Sequence, residues 1–310
     1  MLSRIADSLF WMARYMERTN GILRMLRINV ITSLDRDTEF SPTSILQLYA
    51  ALDAPTAAAI GENPDAVLLH MLGNKENPNA VRNLVAKARE NARGAQDHLT
   101  KETWECLNAF YHAVNNPDLE KAIKKGEQIM MLTRLSEHCL LFHGVTDVTM
   151  PRGQGWHYMN AGKMIERATQ TIDTLDIRFQ RLDYDLERST DVTHWRNLLL
   201  SLSGYELYLK RYRGGQPNRN VADLALLNRD FPRSVLYCVQ HLERIIKELA
   251  FNNPETSAQL LKSIGRLHAK VEYSDLETIA QQGLQPYLRE TKQDFYALSN
   301  LLGQTYFAYQ

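Results

Sequence analysis

Apolar residues recur at three- and four-residue steps from the start of the chain: Ile5, Leu9, Met12, Met16, Leu23, Leu26 and Val30, with a weak point at Gly21. A stripe of that period describes a helix with one buried face. With Ser3 placed as its N-cap, the first helix is expected over 3–32. DRDTEFSPTS then breaks the pattern, and shorter helices are expected near 42–53 and 64–72. NPNAVRNLVAKARENARGAQDHL predicts a helix with Pro78 near its start. TKETWECLNAFYHAV predicts another, capped by Thr100 with Glu102 and Thr103 behind it, and a longer helix is expected over 119–142. HGVTDVTMPRGQG is the clearest punctuation and is expected to be a loop between two halves. Beyond it a second long helix is expected over 156–186, then helices at 192–213, 219–228, 232–251, 255–271 and 276–308. RGGQPNRN and FNNPE are the turns among them. Alternating β-branched runs of the kind that make strands are absent. The pattern specifies an all-α chain: one compact helical bundle over 1–310 with halves at about 1–150 and 151–310.

The two long helices share more than their period. LFWMARYMERTNGILRMLRI in the first is matched by YMNAGKMIERATQTIDTLDI in the second. Glu166 follows Glu17 by 149 positions, and the same offset pairs Ala13 with Gly162, Arg14 with Lys163, Met16 with Ile165 and Arg18 with Arg167. It also pairs Leu23 with Ile172, Leu26 with Leu175 and Ile28 with Ile177. Each half therefore opens with a long helix carrying an Arg/Lys-x-x-Glu-Arg motif. Glu-Arg also occurs at 187–188 and 243–244, so the extended pattern carries the repeat, not the dipeptide. The spacing is far too long for a solenoid.

On a helix, Arg14 and Arg18 stand one turn apart with Glu17 beside them, and Lys163, Glu166 and Arg167 repeat that geometry. Antiparallel packing about a pseudo-dyad would face the two clusters, with Ala13 and Gly162 letting the backbones approach. Two readings follow. Each glutamate pairs with an arginine to fix register, or the clusters form a polar pocket for a charged small molecule or peptide end. Glu90–Arg93 and Arg93–Asp97 are spaced for intrahelical ion pairs or, less economically, a ligand role.

Composition narrows the chemistry. Basic and acidic residues balance at 36 each, so the broad positive footprint of a nucleic-acid binder is missing. A short strip of Tyr205, Tyr208 and Tyr212 with Lys210, Arg211 and Arg213 could stack single-stranded bases, a minor alternative. Cys106, Cys139 and Cys238 are far apart and form no CxxC, which suggests buried thiols in a reducing compartment. Charges interrupt the N-terminal apolar run, and no long uncharged stretch follows, so no signal peptide, no membrane contact and a cytoplasmic location are expected. Paired glutamates in a bundle raise a di-metal site, but that design needs Glu-x-x-His. None occurs. No metal and no cofactor are expected, and no GxSxG, Walker A or strand-linked GxGxxG motif is present.

Four ordered stretches carry a resemblance: MLSRIADSLFWMARYMERT, ARENARGAQDHLTKETWECLN, TMPRGQGWHYMNAGKMIERATQT and VADLALLNRDFPRSVLYCV. Over essentially its full length the chain resembles the bacterial alpha-E family, also catalogued as the domain of unknown function DUF403. The family usually has Leu-Gly-Arg before the second Glu-Arg pair. Ala161-Gly162-Lys163 stands here, keeping the charge but losing the bidentate fork. The resemblance implies companions, encoded beside or fused to the family: a circularly permuted ATP-grasp amidoligase and a transglutaminase-like protease, some neighbourhoods adding a proteasome-related peptidase. It implies an accessory role in a peptide- or amide-ligation system, with no securely assigned activity. An enzyme of the same pathway, using Glu17 or Glu166 as acid or base, is the rival expectation. Carried over by position, the family's polar residues are Arg14, Glu17, Arg18, Glu90, Arg93, Glu166, Arg167 and Arg233.

Overall fold

The computed structural model describes residues 1–33, 42–50, 52–188, 190–251 and 254–307. Every regular element among them is helical: sixteen α-helices and two short 3-10 turns, with no strand. Most of DRDTEFSPTS and the centre of FNNPE lie outside the described residues. By their internal contacts the residues form two compact units, Trp11–Pro151 and Met1–Phe10 with Arg152–Gln310.

The unit Trp11–Pro151 takes most of α1 (Ser3–Ser33), then α2 (Pro42–Tyr49), α3 (Ala54–Gly61), α4 (Pro64–Gly73), α5 (Val81–Gly94), α6 (Lys101–Val114), α7 (Asp118–Lys124) and α8 (Gln128–Thr149). Ser3 is the first helical residue rather than the cap, and the Leu2 carbonyl accepts from Ile5 and Ala6. α2 ends at Tyr49, short of the expected 42–53, and α3 follows where no helix is expected. α3 is alanine-rich and without apolar period, and Asp53 starts it by accepting from the Thr56 amide at 2.8 Å. Pro78 does not open α5. Asn77 accepts from the Asn79 amide at 3.0 Å, and this turn delays the helix to Val81. α6 begins as its sequence requires, with Thr100 accepting from the Thr103 amide. It packs between α5 and α8.

The helix expected over 119–142 is two helices. Gly126 at φ +79° ends α7, a conformation that costs L-residues but not glycine. The loop expected over 143–155 is mostly helix, because α8 runs on to Thr149. Gly144 alone does not break it, and the Thr146 and Thr149 hydroxyls donate to carbonyls one turn back. Only Met150–Gly153 remains irregular.

The second unit is built on α9 (Gln154–Phe179), followed by α10 (Val192–Ser201), α11 (Tyr205–Arg211), α12 (Pro217–Leu226), α13 (Val235–Ala250), α14 (Ala258–Glu272), α15 (Leu276–Gln282) and α16 (Leu284–Tyr306). α9 packs against α13, α16 and α12, and α14 lies between α13 and α16. α9 is therefore buried along most of its length, polar residues such as Thr169, Gln170 and Thr171 included. α9 stops at Phe179, with a 3-10 turn over Gln180–Leu182, instead of reaching 186. The stretch 192–213 divides at Ser203 (φ 58°) and 276–308 divides at Gly283 (φ 90°). Asp191, Ser234 and Asp275 cap α10, α13 and α15 through side-chain oxygens. Trp195 anchors one end, fully buried, its ring 4.7 Å from Phe179 and its Nε1 donating to Asn218 at 2.9 Å. Residues 1–10 complete this unit: Phe10 packs on Phe307 at 5.2 Å, and the Met1 amino group donates to Gln154 at 3.2 Å.

Candidate functional site

The Glu-Arg motif falls inside both units. Glu17 is 0% exposed and Glu166 3%, with Met16 and Ile165 fully buried on the apolar stripe beside them. Arg14 is buried as well and lies 4.7 Å from the Trp11 ring, a cation–π contact. Lys163, at the equivalent position on α9, is half-buried. Each half-buried second arginine ties its helix to the turn that opens another helix. Arg18 donates to Asn79 Oδ1 at 3.0 Å, ahead of α5. Arg167 donates to the Pro232 carbonyl at 3.2 Å, ahead of α13.

Those two turns are built alike. Asn77 Oδ1 accepts from the Asn79 amide, and Asn228 Oδ1 accepts from the amides of Asp230 and Phe231. Asn79 passes the link on by donating to the Tyr49 carbonyl at 3.0 Å. In the other unit the Thr171 hydroxyl donates to the Arg233 carbonyl at 2.8 Å, and the Arg233 side chain is buried. The repeat is thus one of wiring as well as of pattern: Glu-Arg helix, asparagine turn, following helix.

Glu17 meets a residue the sequence did not point to. His143 of α8 brings Nε2 to 3.4 Å from Glu17 Oε2. Cys139 lies one turn before His143, so a thiol, an imidazole and a carboxylate come together. They do not form an activated nucleophile. Burial pushes the Cys139 thiol far up, and the Glu17 charge adds to that shift despite the opposing Arg24. A reactive cysteine needs the opposite environment. No disulfide links the cysteines; Cys139 and Cys238 are buried and Cys106 half-buried.

On α9, Asp173 stands two turns beyond Glu166 and forms an ion pair with Lys292 of α16. Burial raises its carboxyl above the ordinary range against the pull of Lys292, with Glu166 and Asp176 adding to the rise. A further titratable cluster, also unforeseen, joins α13 and α14. His268 Nδ1 lies 2.9 Å from Glu243 and Nε2 lies 3.6 Å from Glu272. Lys247 approaches Glu243 at 3.2 Å, and Gln240 donates to Glu272 at 2.9 Å. Glu243–Lys247 and His268–Glu272 are each one turn apart on their own helix, but the contacts of His268 with Glu243 and of Gln240 with Glu272 cross between helices, and no spacing along the chain announces those.

The remaining candidates sit elsewhere. Glu90 is exposed and paired with Arg93 at 2.6 Å, while Arg89 donates to Asn108 at 2.7 Å and covers the Tyr111 ring. This is the intrahelical pair that the spacing suggests. In the tyrosine strip Tyr208 is buried and the half-buried Tyr212 donates its hydroxyl to Asp223, while Lys210, Arg211 and Arg213 are exposed. Among the described residues no group of three or more His, Cys, Asp or Glu is arranged to hold a metal ion. No helix among them is long and apolar enough to cross a membrane.

Comparison with known proteins gives the motif a context. Residues 1–307 match the Alpha-E family, described as a predicted alpha-helical domain with a conserved ER motif. The chain is 22% identical over 310 residues to the uncharacterized proteins Mb2597 of Mycobacterium bovis and Rv2567 of Mycobacterium tuberculosis. Those alignments cover 93% of this chain and 34% of each relative, so the chain spans about a third of their length. No solved structure matches. Glu17-Arg18 and Glu166-Arg167 are Glu-Arg pairs of the kind that description names, each with its carboxylate buried, and the chain belongs to the Alpha-E family.

Proposed function

We propose that the chain is a cytoplasmic, non-catalytic helical component of a peptide- or amide-ligation system served by ATP-grasp and transglutaminase-like proteins, in which it holds the ligase or a charged peptide. The burial of the two motif glutamates carries the non-catalytic part of this reading. A general acid or base must reach its substrate's proton within hydrogen-bond distance. Glu17 and Glu166, at 0% and 3% exposure, are enclosed by their own helices' surroundings. The choice of partners rests on the resemblance to the alpha-E family. The mycobacterial relatives, about three times as long, carry the matching segment within a larger polypeptide, which suits a segment that works in company.

The half-buried Arg18 and Arg167 are the groups through which a peptide terminus would bind, by charge-assisted hydrogen bonds. The test is calorimetric titration of the purified chain with the cognate ATP-grasp ligase and with its peptide product. Wild type binds at least one of them and shows neither ATP hydrolysis nor peptide cleavage alone. The Arg18→Glu/Arg167→Glu variant, with helicity retained by circular dichroism, loses binding of the peptide. Equal affinities exclude these arginines as the contact. Turnover by the isolated wild type that disappears in Glu17→Gln replaces the accessory reading with an enzyme using the Glu17–His143 pair.

A further inference from the structure

Helix α8 is apolar on both sides. Its inner face buries Met131, Leu132, Leu135, Cys139, Phe142 and Thr146 in the unit. Its outer face leaves Met130, Leu140, Leu141 and Val148 in solvent, Leu141 at 53% and Val148 at 80% exposure. Contiguous apolar residues on an outer helix face mark an interaction surface more often than isolated ones do. Met130, Arg134, Glu137, Leu141, Gly144 and Val148 follow each other at steps of four and three, which aligns them in one stripe along the helix. The stripe holds just two charges, Arg134 and Glu137. Neither is in an ion pair among the described residues, although both are exposed.

The order along this stripe is apolar, positive, negative, apolar. Read in the opposite direction it complements itself. We propose that the outer face of α8 is a self-association surface, on which two copies of the chain pair their α8 helices antiparallel about a two-fold axis. With the axis between Leu135 and Ser136, Arg134 meets Glu137 of the partner subunit, and by symmetry Glu137 meets the partner subunit's Arg134. In that register Met130 opposes the partner's Leu141. The flat surface at Gly144, where an added Cβ would meet nothing within 4 Å, opposes the partner's Glu127. A two-fold contact requires this kind of self-complementarity, since one patch must serve as both halves of the interface.

A hollow lies where the pairing needs one. Between the end of α6, α7 and the start of α8 is a cavity of about 250 Å3, with Met130 and Arg134 on its rim and Leu119, Ala122 and Leu135 further in. Leu141 of the partner subunit, placed opposite Met130, stands at its mouth. The two charges supply register: a slide by one helical turn in either direction takes each arginine away from the facing glutamate. A foreign partner is the weaker match, because the complement of this stripe is the stripe itself.

Sedimentation velocity of the full chain over a dilution series, with mass determination by light scattering, tests the pairing. Wild type is a reversible dimer. Arg134→Glu and Glu137→Arg, each alone, present like charges across the axis and sediment as monomers. Mixed in equal amounts the two variants form a heterodimer, and the double variant with both charges exchanged dimerises again. Both altered residues are on the exposed face, and unchanged circular dichroism shows that the fold is intact. A wild type that is monomeric throughout overturns the proposal and leaves the face to a different protein. Single variants that dimerise as wild type does overturn it in favour of another surface.

Discussion

A carboxylate at 0% exposure beside an imidazole at 3.4 Å, and another at 3% exposure on α9, are expensive groups to enclose. Burial of an unpaired ion costs several kcal/mol, so these glutamates persist only because charged and hydrogen-bonding neighbours surround them. Removing one leaves those neighbours uncompensated. Glu17→Ala and Glu166→Ala are each expected to destabilise the protein by about 3–5 kcal/mol, the range for breaking a buried pair. Urea denaturation followed by circular dichroism measures this, and transitions superimposable on wild type in both variants would remove the structural role. The doubled motif was readable in the sequence because helical phase is local: Ala13, Met16 and Glu17 recur as Gly162, Ile165 and Glu166. The neighbours were not. His143, Asn79 and Pro232 reach the motif from other helices and turns, and no spacing along one helix encodes a contact across two.

The same distinction holds for helices. Those with a strong apolar period and a side-chain cap, such as α6 behind Thr100, stand where the pattern put them. Errors concentrate where a helix stops. Gly126 and Gly283 divide what reads as continuous apolar period, because a single positive φ ends a helix without altering the periodicity on either side. Conversely the glycines and proline of HGVTDVTMPRGQG suggest a loop, yet α8 runs through Gly144 to Thr149, supported by threonine hydroxyls and the packing of its inner face on α6. Gly283 gives a direct check. At φ 90° an alanine is strained, and its Cβ would lie 3.2 Å from Pro286 Cδ. Gly283→Ala should cost about 1–3 kcal/mol, read as a lower melting temperature. Gly144→Ala, where the Cβ meets open space inside a helix, should be neutral or stabilising and serves as the control.

At the scale of the molecule, the all-α class followed from the absence of strand patterning. The halves at 1–150 and 151–310 are a matter of sequence likeness, whereas the compact units assign residues 1–10 to the later part of the chain. Apolar pattern alone could not show that, because Ile5 and Leu9 have the same phase as Met12 and Met16. Within that unit Leu9 lies against Gly155, close enough that a Cβ there would be 3.2 Å from it, and Phe10 covers Phe307. The consequence is temporal. On a ribosome the residues of Trp11–Pro151 are complete long before Phe307 is made, while residues 1–10 must wait for the residues after Arg152. A polypeptide covering 11–151 should acquire helical structure and a cooperative thermal transition by itself. One covering 152–310 should remain loosely ordered until a peptide of residues 1–10 is added, which then sharpens its melting transition as a noncovalent complement. A cooperative transition for 152–310 that the peptide leaves unmoved would show that the first ten residues only decorate a unit already closed. The expected rescue would make them the last-assembled part of a unit whose other residues are all translated after them.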